Sequence, residues 1–281
     1  MKTLRGAKNS TVKLGVQRGN SPELLYFDVT RGDVPVNSVD VSFEAAKGIG
    51  YIKVSKFARN TYNEFITAIA KLKQAGCTSF VIDLRGNTGG YMDAAINMIN
   101  EFMPEGRLIV YTEGKSFPRS DVYANGTGTC KDAPIVVLTD EISASASEIF
   151  SGAIQDNDRG TIIGRRTYGK GLVQTQMSLS DGSEMRLTIA RYYTPSGRCI
   201  QKKYEMGNTD AYDQDIYNRY MHGEFDSADS IKMDDSLKYQ TVGGRTVYGG
   251  GGIMPDIFIP RDTSGVTSYY SNVVNSGVLY L

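Results

Sequence analysis

The spacing of apolar positions changes along the chain, and the changes mark its elements. Residues 11–17 (Thr-Val-Lys-Leu-Gly-Val-Gln) alternate, and Leu24 to Val29 form a short apolar run. With Gly and Pro between them, these segments predict two strands of a small β unit. Residues 49–54 predict another strand. Thr61-Tyr62-Asn63-Glu64 has the form of a capping box and opens a helix with Phe65, Ile66, Ile69 and Leu72 on one face and Gly76 as its stop. Residues 79–84 (Ser-Phe-Val-Ile-Asp-Leu) predict a buried strand, followed by a glycine-rich turn and a helix bearing Met92, Ala95, Ile96, Ile99 and Phe102. The grammar then repeats. Ile135 to Leu138 is a strand, Asp140 to Ser143 a turn, and residues 145–157 a helix with Ile149, Phe150, Ala153 and Ile154 inward. Strands and helices alternating in this way predict an α/β core.

After Thr161 the pattern turns to strands: Thr161 to Ile163, Leu172 to Leu179, a turn at Asp181-Gly182, and Glu184 to Tyr193. Residues 201 to about 247 are polar and rich in Tyr and Asp, with weak periodicity, and read as an insertion. Gly249 to Gly252 and Pro255 mark the return to order at Ile257 to Ile259.

Composition narrows the classes of function. The 281 residues suffice for one large domain or two modest ones. Acidic and basic side chains balance at 31 each, which argues against a nucleic-acid partner. No apolar run approaches the ~20 residues of a bilayer span, and no signal-peptide core follows Met1 to Arg5. Cys77, Cys130 and Cys199 are odd in number and widely spaced, so they form neither a disulfide framework nor a zinc pattern. The single histidine, His222, sits in the polar insertion, and no metal or cofactor is called for.

The candidate chemistry lies in the turns. Ser143-Ala144-Ser145-Ala146-Ser147-Glu148 follows a strand and opens a helix, a placement that exposes a hydroxyl beside free backbone N–H groups. Ser145-x-x-Glu148 is equally a capping box, and the run leaves open which of Ser143, Ser145 and Ser147 is exposed. Downstream, Lys170 stands between Gly169 and Gly171; a lysine acts as a base only where its surroundings favour the neutral amine. Upstream, Arg85-Gly86-Asn87-Thr88-Gly89-Gly90 joins a strand to a helix and can point N–H groups at an oxyanion. Two motif matches are set aside. Gly164-x-x-x-x-Gly169-Lys170 continues with Gly171 where a phosphate-binding loop needs Ser or Thr, and Ser10-x-x-Lys13 lies in an alternating segment where the two side chains face opposite ways.

Together these residues resemble the carboxy-terminal processing, or tail-specific, serine peptidases of family S41. The resemblance rests on Asp83-Leu-Arg-Gly-Asn-Thr-Gly-Gly90, the Ser143 to Glu148 run, Gln155-Asp-Asn157, Tyr168-Gly-Lys-Gly-Leu-Val-Gln174, Arg191-Tyr-Tyr-Thr-Pro-Ser-Gly-Arg198 and Gly252-Ile-Met-Pro-Asp256. It implies Ser145 as nucleophile, Lys170 as base, Gln174 as the residue orienting that base, and an oxyanion site at Ala146, Gly89 and Gly90. Asp156 matches an aspartate implicated in some relatives, but eleven residues place it about 16 Å along the helix from Ser145, so a structural role is expected. The implied fold is a Clp peptidase or crotonase-like core of repeated βα units, with additional strands and an N-terminal remnant of a PDZ-type module. The expected domains are residues 1–44, the remnant and linking strands, and residues 45–281, the peptidase core with its insertion. The chain thus reads as a fragment. The insertion resembles that of Bacteroidetes-type members.

The implied function is endoproteolysis of proteins with accessible C-terminal tails through an acyl-enzyme, without cofactor or metal, the full-length parent residing in the periplasm or cell envelope. Two alternatives remain at this stage: a catalytically silent peptide-binding fragment, and a crotonase-like acyl-CoA enzyme using the same oxyanion turns.

Overall fold

Alternation at 11–17 and the run after Leu24 give β1 (Thr11–Val16) and β2 (Leu25–Thr30), an antiparallel pair with Thr11 opposite Thr30. The computed structural model describes residues 3–19, 22–33, 36–204, 209–264 and 267–276. Leu281, one of the positions on which the reading as a fragment rests, lies outside the described residues. The chain divides into two units after Asn37. Residues 39–44, expected with the N-terminal segment, instead belong to β3 (Val39–Ala46), which pairs antiparallel with β4 (Ile49–Val54) in the second unit.

From β4 the predicted alternation runs as read: α1 (Thr61–Gln74), β5 (Ser79–Asp83) and α2 (Met92–Asn100). An antiparallel hairpin, β6 (Leu108–Gly114) and β7 (Phe117–Tyr123), then intervenes. The pattern resumes with β8 (Ile135–Thr139), α3 (Ala146–Asp156) and β9 (Thr161–Gly164). The strand-rich part supplies β10 (Leu172–Ser178) and β11 (Glu184–Tyr193), antiparallel partners. The insertion holds α4 (Thr209–Met221) and the short pair β12 (Lys238–Gln240) and β13 (Thr246–Tyr248). β14 (Ile257–Phe258) and α5 (Ser268–Asn275) follow.

The main sheet has the order β14-β9-β8-β5-β4-β3, parallel throughout except at the β3 edge. Register explains its stability. Ile52, Ile82, Val137 and Ile162 are consecutive partners across β4, β5, β8 and β9, and all four are fully buried. Each contributes about 1.5–3 kcal/mol by leaving water. Above this row the helices pack in succession, α1 on α2 and α2 on α3. Phe102 lies edge-on to Phe65, Phe80 and Phe150, with centroids 6.2, 6.3 and 6.4 Å away. A second sheet has the order β10-β11-β6-β7.

Two local expectations resolve differently. Gly76 ends α1 as expected, with φ +94° and the Cys77 N–H returning to the Leu72 carbonyl at 2.9 Å. The Thr61–Glu64 capping box does not form: the N-cap is Asn60, and Glu64 accepts the N–H groups of Ser38 (2.6 Å) and Val39 (3.0 Å). The carboxylate is more useful there, since it satisfies donors at the entry to β3.

Asp156 closes α3 far from Ser145 and is fully buried with Arg198. The guanidinium gives Nη2 to Asp156 Oδ1 (2.7 Å) and Gln155 Oε1 (2.8 Å), and Nη1 to the Tyr248 carbonyl (2.9 Å), while Asp156 Oδ2 accepts the Ser196 N–H at 3.1 Å. The pair therefore joins α3, the turn after β11 and β13. Asp156→Ala leaves an uncompensated buried charge and is expected to cost about 3–5 kcal/mol in urea-induced unfolding. A loss below about 1 kcal/mol would show that the pair does not hold these elements together.

Candidate active site

β5 and β8 are parallel neighbours, so the turns that follow them emerge side by side at one edge of the sheet, where open α/β sheets place their ligands. Asp83 closes β5 and is 1 % exposed. Burial alone would raise its carboxyl, but the Arg85 side chain, the Tyr51 hydroxyl (2.6 Å), the Arg85 N–H (2.8 Å) and Lys53 together hold it below the usual range. The two turns are fastened to each other. Asp140 accepts the Gly86 N–H; Asn87, fully buried, gives Nδ2 to the Val54 carbonyl (2.9 Å), and its own carbonyl accepts the Ala144 N–H (3.0 Å) and the Ser147 hydroxyl (2.9 Å). Gly89 has φ +97°, and a Cβ there would lie 2.6 Å from the Ala144 carbonyl oxygen and 2.7 Å from Ser145 Cβ. Only glycine lets the turns approach so closely.

The structure separates the three serines. Ser143 and Ser147 are fully buried, donating to the carbonyls of Leu84 (2.8 Å) and Asn87 (2.9 Å), and act as fasteners. Ser145 is partly exposed at the N-cap of α3 with φ +57° and ψ −114°. For a residue with a side chain this backbone costs on the order of 1–3 kcal/mol, and such strain accompanies an exposed nucleophile at a strand-to-helix turn. The following N–H, of Ala146, has no hydrogen-bond partner among the described residues, nor has that of Gly90. The Gly89 N–H is engaged, donating to Asn87 Oδ1 at 2.8 Å. Of the three groups the resemblance assigns to the oxyanion, Ala146 and Gly90 are thus available in this structure, while Gly89 supplies close approach.

Glu148 connects the serine to the lysine. It is fully buried, and burial pushes its carboxyl upward against the pull of four donors. Oε1 accepts the Thr167 hydroxyl and the Gly169 N–H, both at 2.6 Å; Oε2 accepts the N–H groups of Ser145 and Lys170, both at 2.8 Å. The backbone nitrogens of Ser145 and Lys170 therefore lie within twice that distance of each other. Tyr192, 2 % exposed, holds the lysine segment from behind: its hydroxyl donates to the Lys170 carbonyl and its N–H to the Gly171 carbonyl at 3.0 Å. Burial drives this phenol well above its ordinary pKa, keeping it a neutral donor.

Ser145, Lys170 and Gln174 line one cleft of about 510 Å³ together with Gly89, Gly90 and Arg186. Among the described residues the Lys170 ammonium has no hydrogen-bond partner. Gln174 does not reach it; its Nε2 lies 3.4 Å from the Thr188 hydroxyl, beside a register shift in β10. His222 is exposed, 2.7 Å from the Asn218 carbonyl and outside the cleft. No group of three or more His, Cys, Asp or Glu among the described residues is placed to hold a metal ion. Asn87, Tyr192 and the link from Glu148 to Lys170 were missed from sequence. Asn87 and Tyr192 stood inside motifs of the resemblance without a role of their own, and Glu148 was marked only by its position three residues after Ser145.

Glu148→Gln turns an NH2 group toward two of the four N–H and O–H donors and leaves them buried without an acceptor. Stability is expected to fall by at least about 2 kcal/mol in thermal or urea unfolding. An unchanged midpoint would show that the carboxylate does not organise this segment.

Comparison with known proteins agrees with this geometry. Residues 48–210 match the model of Peptidase family S41. A carboxyl-terminal-processing protease of Synechocystis sp. is 37% identical over 202 residues, 71% of this chain and 47% of its own length. The carboxy-terminal processing protease CtpB of Bacillus subtilis is 32% identical, over 71% of this chain and 42% of its own. Among solved structures, a photosystem II D1 C-terminal processing protease matches with a TM-score of 0.58 at 26% identity, covering 91% of this chain and 57% of that one. The chain spans about half the length of these curated bacterial relatives. With more than half of its residues matched, and with the Ser145 turn, the glycine turn and the lysine segment meeting in one cleft, this chain belongs to peptidase family S41.

Proposed function

We propose that the chain is a serine endopeptidase domain that acts near the C-terminal tails of proteins. The observation that carries the reading is the shared carboxylate oxygen of Glu148, which sets the strained Ser145 and Lys170 against one another in a single cleft. The relatives' names supply the tail preference. β10 is an edge strand with Leu172, Gln174 and Gln176 in the cleft, so an extended substrate can add beside it as a further strand. Ser145 Oγ attacks the scissile carbonyl carbon and passes its proton to Lys170. The N–H groups of Ala146 and Gly90 receive the oxyanion. As the C–N bond breaks, the proton goes to the leaving amine; water, deprotonated by the same lysine, then releases the acyl group. Gln174 orients the base once substrate closes the cleft. We assign the parent protein to the periplasm or cell envelope on the family resemblance; its recovery in the cytosolic fraction after cell fractionation would contradict this.

One observation favours the alternative of a peptide-binding domain without turnover: Gln174 is directed to Thr188 and not to Lys170. Activity decides between them. Ser145→Ala and Lys170→Ala are each expected to lower the cleavage of β-casein by at least about 10³-fold while leaving the unfolding midpoint unchanged. The parent's rate is expected to rise with pH, since a lysine base works only when deprotonated, and to survive EDTA. Equal cleavage by parent and Ser145→Ala protein would refute the assignment.

A further inference from the structure

The insertion, whose sequence gave no role, reaches the site through α4. Arg219, 4 % exposed, donates to the carbonyls of Thr167 (3.0 Å) and Arg166 (2.8 Å) and pairs with Glu224 at 3.0 Å, which fixes the helix to the segment leading into Lys170. Near the start of α4, Tyr212 reaches the same segment through Gln201. Its hydroxyl is 3.4 Å from Gln201 Nε2, and the other end of that amide accepts the Gly171 N–H at 2.9 Å. The buried Lys202 ammonium stands 4.1 Å from the centroids of both Tyr168 and Tyr212, and donates to the Tyr212 carbonyl at 2.9 Å.

Between these rings and the nucleophile turn lies a pocket of about 310 Å³, walled by Tyr168, Tyr212, Ile142, Ala144, Thr88 and Lys170. Its size lies at the low end of the ~300–1,000 Å³ of small-ligand sites, enough for one side chain. Its position is informative. Thr88 and Lys170 also line the Ser145 cleft, and Ala144 precedes the nucleophile. In a bound peptide, the side chain of the residue whose carbonyl is attacked begins two bonds from the reacting carbon, so it must leave the cleft close to these walls. Apart from Thr88 and Lys170 these walls are two aromatic rings, an aliphatic branch and a methyl group, with the Lys202–Asp215 ion pair behind the rings.

We infer that this pocket takes the side chain of the acyl-donating substrate residue, that this side chain is large and apolar, and that Tyr212, carried by the insertion, sets the preference. The inference rests on the reading of Ser145 as nucleophile given above. The test uses peptides identical except for Phe, Leu, Ala, Asp or Lys at the residue before the scissile bond. The parent is expected to favour Phe and Leu over Ala in kcat/KM by about tenfold or more; Tyr212→Ala reduces that ratio about tenfold, and Tyr212→Phe preserves it. An unchanged ratio in Tyr212→Ala, or a parent that favours Asp or Lys, overturns the inference. Binding of the same peptides to the Ser145→Ala protein, with and without Tyr212→Ala, separates the two claims. If the parent cleaves nothing yet the binding preference exists and depends on Tyr212, peptidase action fails and the pocket stands. Cleavage that needs Ser145 but shows no preference has the opposite meaning, and absence of both preference and cleavage removes both.

Discussion

A single buried carboxylate sets the geometry of this site. Glu148 carries a desolvation cost that only well-aimed donors can offset, and it receives four of them: from Ser145, Thr167, Gly169 and Lys170. The arrangement solves two problems together. The left-handed backbone of Ser145 would relax if its N–H were free to find another partner, and the Lys170 segment is a loop with no strand pairing of its own before Leu172. Anchoring both to one oxygen makes the separation of Ser145 and Lys170 a property of the backbone. The lysine side chain is left unencumbered.

The parallel sheet supplies the remaining precision. Adjacent parallel strands end together, which brings the turn after β5 and the turn after β8 to the same edge, and Asn87, Asp140 and Ser147 then fasten one to the other. The buried row Ile52, Ile82, Val137 and Ile162 fixes the strand register that this alignment requires. Slippage of β8 against β5 would separate Gly89 from Ser145, where less than the width of a methyl group is free.

How far the sequence revealed this follows from the range of each interaction. Local periodicity sufficed for β4, α1, β5, α2, β8 and β9, because each buries one face more than the other, and for α3, buried on every side, because its apolar residues still recur at helical spacing. α4 was invisible because its apolar residues follow no helical stripe; it is bound by single polar side chains, Arg219 to a segment about fifty residues upstream and Tyr212 to Gln201 just before the helix. The β6–β7 hairpin was missed for a related reason: exposed β7 shows little apolar alternation. In the site, motif resemblance brought Ser145, Lys170 and Gln174 to one cleft, but it could not tell a free amide from an occupied one. Whether Gly89 donates to an oxyanion or to Asn87 depends on a side chain folding back over two residues. The serine run was ambiguous for the same cause: burial against Leu84 and Asn87, about sixty residues upstream, excludes Ser143 and Ser147.

The placement of Tyr212 joins recognition to chemistry. Lys170 is held by its backbone alone: its N–H by Glu148, its carbonyl by Tyr192, and the next residue by Gln201. Its side chain lines both the Ser145 cleft and the aromatic pocket. A side chain entering that pocket would therefore meet Tyr212 of the insertion and Lys170 of the core together. Tyr212 thus supplies a wall from outside the βα core, and a change there alters the pocket without touching the Glu148 bonds that hold Ser145 and Lys170.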